Sequence, residues 1–217
     1  MVNKKELALF LGMLAGDGCL SIKHNGDGDR VYPINFYNTN KDYVKGFSIL
    51  FVNLFDIKGS IRCRKRKNKQ DLWEFEKYSK KIFTKINEEF EIPCGKKAPI
   101  VQVPSFILSG DIEEKKNFFL GVLITDGGIK KNRSIMFHSA SKELIKGIIT
   151  LIFDLWGIKR TMKEYLQRQR FLSYQITLNI KDSSIVLNDL AEVAQSGTAQ
   201  IMTPILEHKR KPWEAIR

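Results

Sequence analysis

The sequence predicts an α+β fold: two pseudo-symmetric αββαββα repeats, each an antiparallel sheet with its helices on one face. Three observations carry this. A nine-residue apolar segment ending in Asp-Gly occurs twice, as Phe10-Leu11-Gly12-Met13-Leu14-Ala15-Gly16-Asp17-Gly18 and as Phe119-Leu120-Gly121-Val122-Leu123-Ile124-Thr125-Asp126-Gly127. A second stretch is also duplicated. Residues 33–46 align with residues 134–147, and isoleucine, phenylalanine, both lysines and the final glycine coincide. Finally, alternating strands joined by short polar turns, such as Lys67-Asn68-Lys69-Gln70, imply antiparallel hairpins.

The elements follow in order. The first motif predicts a helix ending near Gly16, whose interior Gly12 permits close approach to another helix, as Gly121 does in the second copy. Strands are expected at 19–25 and 30–38, with a long hairpin loop around Gly26-Asp27-Gly28-Asp29. Asn40 is a good N-cap for a helix over 41–56. Strands at 59–66 and 71–77 and a helix at 79–90 complete the first repeat. The second repeat reads as helix 113–125, strands 128–132 and 134–139, helix 142–156 capped by Ser141, strands 158–167 and 171–179, and helix 182–194. The chain therefore divides into a first repeat over 1–90, a linker over 91–112, a second repeat over 113–194 and a basic tail over 195–217. A connection as long as 91–112 is often functional.

Composition narrows the partners. The chain has 217 residues, a formal charge of +12 and a pI of about 9.6, which favours a polyanion, nucleic acid before an anionic membrane surface. No apolar run reaches membrane-spanning length, and Met1-Val2-Asn3-Lys4-Lys5-Glu6 does not read as the start of a signal peptide. Cys19, Cys63 and Cys94 have no metal-binding spacing and read as free thiols of a reducing compartment. The expected location is cytoplasmic or nucleoid-associated, an organelle being compatible with the same composition.

A carboxylate at a helix C-terminus gains nothing from the macrodipole, so Asp17 and Asp126 need another source of stabilisation, for which a shared divalent cation is suited. The two motifs resemble those of the LAGLIDADG homing endonucleases in their single-chain, two-repeat form. The linker Glu91-Ile92-Pro93-Cys94-Gly95-Lys96-Lys97, with its later Val103-Pro104-Ser105-Phe106-Ile107, resembles the segment before the second motif in that family, intein-borne members included. The termini lack the residues that protein splicing needs.

The resemblance implies that the motif helices pack together and that the two sheets form a DNA-binding saddle. It implies Asp17 and Asp126 as metal ligands, joined by the carbonyls of Gly16 and Thr125, with Mg2+ or another divalent cation such as Mn2+. It implies further site residues at Asn38 and Ser139. Positions that often carry lysine in the family hold Thr39, Ala140 and Val101 here, so Lys96, Lys97 or Lys130 is left to supply the basic group. On strand alternation, Arg62, Arg64 and Arg66 share one face, opposite Ile61 and Cys63. Ser173, Gln175 and Thr177 share a face opposite Leu172, Tyr174, Ile176 and Leu178. With Lys23, Lys163 and Arg168 these are the candidate DNA contacts, and their difference between repeats predicts an asymmetric target.

The expected activity is site-specific hydrolysis of double-stranded DNA across the minor groove, leaving 3′ overhangs, by a monomer with an internal pseudo-dimer, in the service of intron homing. The alternatives are an RNA maturase that binds its intron RNA and a DNA-binding regulator with impaired catalysis.

Overall fold

The structure, a computed structural model, describes residues 3–167 and 171–195. In chain order its elements are α1 (Lys4–Asp17), β1 (Gly18–Leu20), β2 (Lys23–His24), β3 (Arg30–Val31), β4 (Pro33–Asn38), α2 (Lys41–Phe55), β5 (Ser60–Arg64), β6 (Leu72–Tyr78) and α3 (Lys80–Thr84). Then come α4 (Ser105–Leu108), α5 (Ile112–Thr125), β7 (Gly127–Ile129), β8 (Ile135–Ser139), α6 (Lys142–Trp156), β9 (Lys163–Gln167), β10 (Phe171–Thr177) and α7 (Ile180–Gln195). A π-helical turn, Lys85–Glu89, continues α3.

The two four-stranded sheets have matching orders, β1-β4-β6-β5 and β7-β8-β10-β9, and every neighbouring pair is antiparallel. Their registers correspond. Asn38 stands opposite Trp73 in one sheet and Ser139 opposite Tyr174 in the other. The helices start where short polar side chains can accept the first free amides. Asn40 accepts from Asp42 N at 2.9 Å and Ser141 from Leu144 N at 3.2 Å, as their sequence positions imply.

Helices α1 and α5 form the centre. They are buried along most of their length, from Leu7 to Ala15 and from Asn117 to Ile124, and apart from Asn117 these spans carry no polar side chain. Glycine sets their separation. A Cβ on Gly12 would lie 2.2 Å from the Phe118 carbonyl oxygen, and one on Gly121 would lie 2.5 Å from that of Leu9. Each central helix also carries a phenylalanine into its own repeat. Phe10 stacks on Phe47 with ring centroids 4.8 Å apart, and Phe119 meets Phe137 edge-on at 5.2 Å.

Several elements depart from expectation. The first predicted strand ends at Leu20, where the linker joins its outer edge: Leu20 bridges Cys94, and its carbonyl accepts from Gly95 N at 2.8 Å. The rest of that hairpin forms the separate ribbon β2–β3. Residues 158–162 are not strand, and β9 begins at Lys163. The linker, whose length already argued against a plain loop, has structure of its own. It contains α4, buries Val101, Val103 and Ile107, and accepts the Ser141 hydroxyl on the Val101 carbonyl at 2.5 Å. Residues 196–217, nearly all of the predicted basic tail, lie outside the described residues.

Candidate functional site

The C-terminal ends of α1 and α5 converge. Asp17 is the last residue of α1, and Asp126 caps α5. A Cβ on Gly16 would lie 2.1 Å from Thr125 Oγ1 and 3.4 Å from the carboxyl carbon of Asp126, so the Asp126 side chain packs against the residue that precedes Asp17. The glycine after each aspartate is also sterically required. A Cβ there would lie 2.5 Å from the Leu14 carbonyl in one repeat and 2.5 Å from the Leu123 carbonyl in the other. The chain thus turns from helix straight into strand with no room for a side chain, and the Asp-Gly pair of each motif has this local cause.

Asn38, at the end of β4, orients the first carboxylate. Its Nδ2 donates to Asp17 Oδ2 at 2.7 Å, and its Oδ1 accepts from Asn40 N at 2.8 Å. Ser139 holds the corresponding place on β8 and makes the same turn contact, accepting from Ser141 N at 3.1 Å. Thr125 turns its hydroxyl back along the helix, donating to the Gly121 carbonyl at 2.9 Å.

Of the two linker lysines, Lys97 points in and Lys96 is exposed. A tight turn, with Lys97 N donating to Gly95 O at 2.8 Å and Val101 N to Lys97 O at 2.8 Å, aims the Lys97 side chain at the foot of α1. Its Nζ donates to the Ala15 carbonyl and, at 2.6 Å, to the Gly16 carbonyl. An ammonium there satisfies helix-end carbonyls and suits the negative end of the dipole. Burial pushes the Lys97 amine below its usual pKa, while the charges of Asp126 and Asp17 oppose that fall. The Gly16 carbonyl therefore serves Lys97, with one lone pair left over.

Tyr43 belongs to the same environment. Burial, then the charge of Asp17, raise its phenol from 10.0 to about 12. Sequence reasoning missed this residue. The available signal was the mismatch of Tyr43 with the apolar Leu144 in the aligned repeats.

The candidate DNA contacts are more dispersed. Arg62 and Arg64 lie on the sheet face turned away from the helices, paired with Glu76 at 3.2 Å and Glu74 at 2.5 Å. Arg66, beyond β5, donates from Nε to the Gln70 carbonyl at 2.8 Å. Lys23 is exposed on the β2–β3 ribbon. Lys163, Gln175 and Thr177 line one cavity of about 330 Å³ with Lys130, Arg160 and Tyr165. Ser173 is a correction: it is 2% exposed and donates to the Tyr165 carbonyl at 3.2 Å, so neighbouring chain covers it. Of the four apolar positions on the opposite face, Tyr174, Ile176 and Leu178 pack on the core, and Leu172 is 47% exposed. Arg168 lies outside the described residues.

Comparison with known proteins accords with this geometry. Residues 4–91 match the model of the LAGLIDADG-like domain. A DNA polymerase of Thermococcus sp. (strain GE8) is 24% identical over 151 residues, covering 70% of this chain. The matched region is 8% of that polymerase's length. Among solved structures, I-DmoI in complex with DNA and Ca superposes with a TM-score of 0.68 at 16% identity, covering 94% of this chain and 98% of that one. The homing endonuclease I-WcaI bound to its DNA recognition sequence gives 0.60 at 19% identity, covering 87% and 81%. The first repeat thus matches the LAGLIDADG-like domain over residues 4–91, and the chain as a whole, with its duplicated motifs and matched sheet orders, has the fold of the single-chain homing endonucleases.

Proposed function

We propose that the chain is a site-specific, divalent-metal-dependent DNA endonuclease that cuts both strands across the minor groove of a long asymmetric duplex, leaves 3′ overhangs and acts in intron homing as a monomer. The single observation that carries this is the convergence of Asp17 and Asp126 at the foot of the paired helices, next to Gly16 and Lys97. The donors available there are carboxylate and carbonyl oxygens, which suit a hard cation. Among the described residues no cluster of three or more His, Cys, Asp or Glu could cage a metal. Two carboxylates suffice for Mg2+ or Mn2+ when DNA phosphates and water complete the coordination.

Asp17 and Asp126 would hold the metal, with the Thr125 carbonyl and the remaining lone pair of Gly16. A bound divalent cation supplies charge neutralisation at the reacting phosphate and an acidified water. The chain's own groups do the rest. Asn38 fixes the orientation of Asp17 and, with Ser139, offers polar atoms that can order water. Lys97 brings its amine to the Gly16 carbonyl, next to Asp17, where it can donate toward the negative charge that would grow on the phosphate. Lys96 is solvated and has no such position.

The test is cleavage of a plasmid carrying the DNA that flanks the gene's insertion point. Cutting of both strands in Mg2+ is the expected result. Tight, salt-resistant binding of intron RNA without DNA cleavage would replace this reading with the maturase. Specific duplex binding in Ca2+ without cutting in Mg2+ would replace it with the regulator.

A further inference from the structure

The open face of the sheet β1-β4-β6-β5 carries a cluster that the metal site does not use. Glu74 and Glu76 alternate on β6 with Trp73 and Phe75, which pack toward the helices, so both carboxylates lie on the opposite face. They are nevertheless 2% and 7% exposed. Carboxylates this dehydrated require donors, and the sheet provides them. Glu74 accepts from Asn35 Nδ2 at 2.9 Å and from Arg64 Nε at 2.6 Å. Glu76 accepts from the Tyr78 hydroxyl at 2.8 Å and pairs with Arg62 at 3.2 Å. Tyr37 joins the group, its phenol held protonated by burial and by Glu74.

The arginines are held at one edge and open at the other. Their side chains are 64% exposed for Arg62 and 59% for Arg64, and a guanidinium has five donors to distribute. An arginine fixed in this way has lost much of its rotamer freedom before a partner arrives.

The equivalent positions of the second sheet, all among the described residues, do not repeat the device. In the matched registers Glu74 stands opposite Arg62 and Tyr37, while Gln175 stands opposite Lys163 and His138. Likewise Glu76 faces Asn35, but Thr177 faces Met136. Neutral side chains replace both carboxylates.

We infer that Glu74 and Glu76 are positioning residues for sequence readout: they fix Arg62 and Arg64 as readers of guanine edges in one half of the target, rather than as phosphate clamps. The reason is electrostatic. Phosphate binding draws on net positive charge and counterion release, which a buried carboxylate behind each arginine largely cancels. Guanine O6 and N7 are neutral acceptors that need a correctly aimed fork. This inference rests on the DNA-binding reading above.

Selection from duplexes with a long randomised segment, in Ca2+, provides the test. The parent is expected to enrich guanine at positions in one half-site. Glu74→Gln and Arg64→Ala should each weaken that preference by about 10-fold and leave the other half-site's preference intact. The double variant should be no worse than Arg64→Ala alone, because the glutamate acts through the arginine. Arg64→Lys, a change at an exposed side chain that keeps the charge without the fork, should lose the preference too. The inference is overturned if Glu74→Gln or Arg64→Lys selects as the parent does. It is also overturned if Arg64→Ala keeps its base preference while the salt slope of binding drops by about one ion. A parent that enriches no sequence would sink the DNA reading itself, a result distinguishable from both.

Discussion

Gly12 and Gly121 meet backbone to backbone: a Cβ on Gly12 would lie 3.0 Å from Gly121 Cα, and one on Gly121 would lie 2.7 Å from Met13 N. The neighbouring atoms are main chain on two buried helices and cannot rotate away. Gly12→Ala or Gly121→Ala should therefore destabilise the protein by about 1–3 kcal/mol or more through overpacking, measured by urea unfolding. Either change should also reduce DNA cleavage in the fraction that stays folded, since the same helices carry Asp17 and Asp126.

Asn38→Ala removes a bond to a carboxylate and a turn contact. A stability loss of about 1–2 kcal/mol is expected from urea midpoints. The more telling readout is the Mg2+ concentration for half-maximal cleavage, which should rise by about 10-fold as Asp17 loses its orientation. Ser139→Ala should move that concentration in the same direction if Ser139 serves the second half of the site.

The two linker lysines should separate cleanly. Lys97→Met takes away the ammonium at the Ala15 and Gly16 carbonyls and should slow cleavage by about 100-fold at saturating metal. Lys96→Met changes an exposed side chain and should leave the rate near that of the parent. Single-turnover rates on one duplex decide it.

Tyr43 gives a pH signature. Its pKa rises from 10.0 in the unfolded chain to about 12 in the fold, so its contribution is fully present below pH 10 and is lost as pH climbs toward 12. Between pH 9 and 11 the parent should lose about 1 kcal/mol more stability than Tyr43→Phe, which has no proton to lose. Equal losses in paired urea titrations would contradict the assignment.

Much of this was legible in the sequence because it was written twice. The paired motifs gave the central helices and both aspartates, and the aligned Asn40 and Ser141 gave the caps. The two sheets followed from alternation. What escaped depends on contacts between distant segments. Whether Lys96 or Lys97 turns inward is decided by a linker turn whose Val101 end docks on Ser141. The docking of the linker residue Cys94 beside Leu20 at the end of β1 is another contact between distant segments. Glu74 and Glu76 did not stand out in the sequence, because their burial and pairing depend on which strands lie beside β6. Ser173 reads as an exposed polar residue, but in the fold it is buried and donates to the backbone carbonyl of Tyr165 on the adjacent strand.

The most direct check of the central claim is strand-resolved cleavage by Asp17→Asn and Asp126→Asn on a selected duplex in Mg2+, with binding measured in Ca2+. The account predicts that each variant binds like the parent and loses double-strand cleavage by at least about 100-fold. If either variant cuts both strands at the parent's rate, Asp17 and Asp126 are not the shared metal ligands and the proposed nuclease centre is wrong.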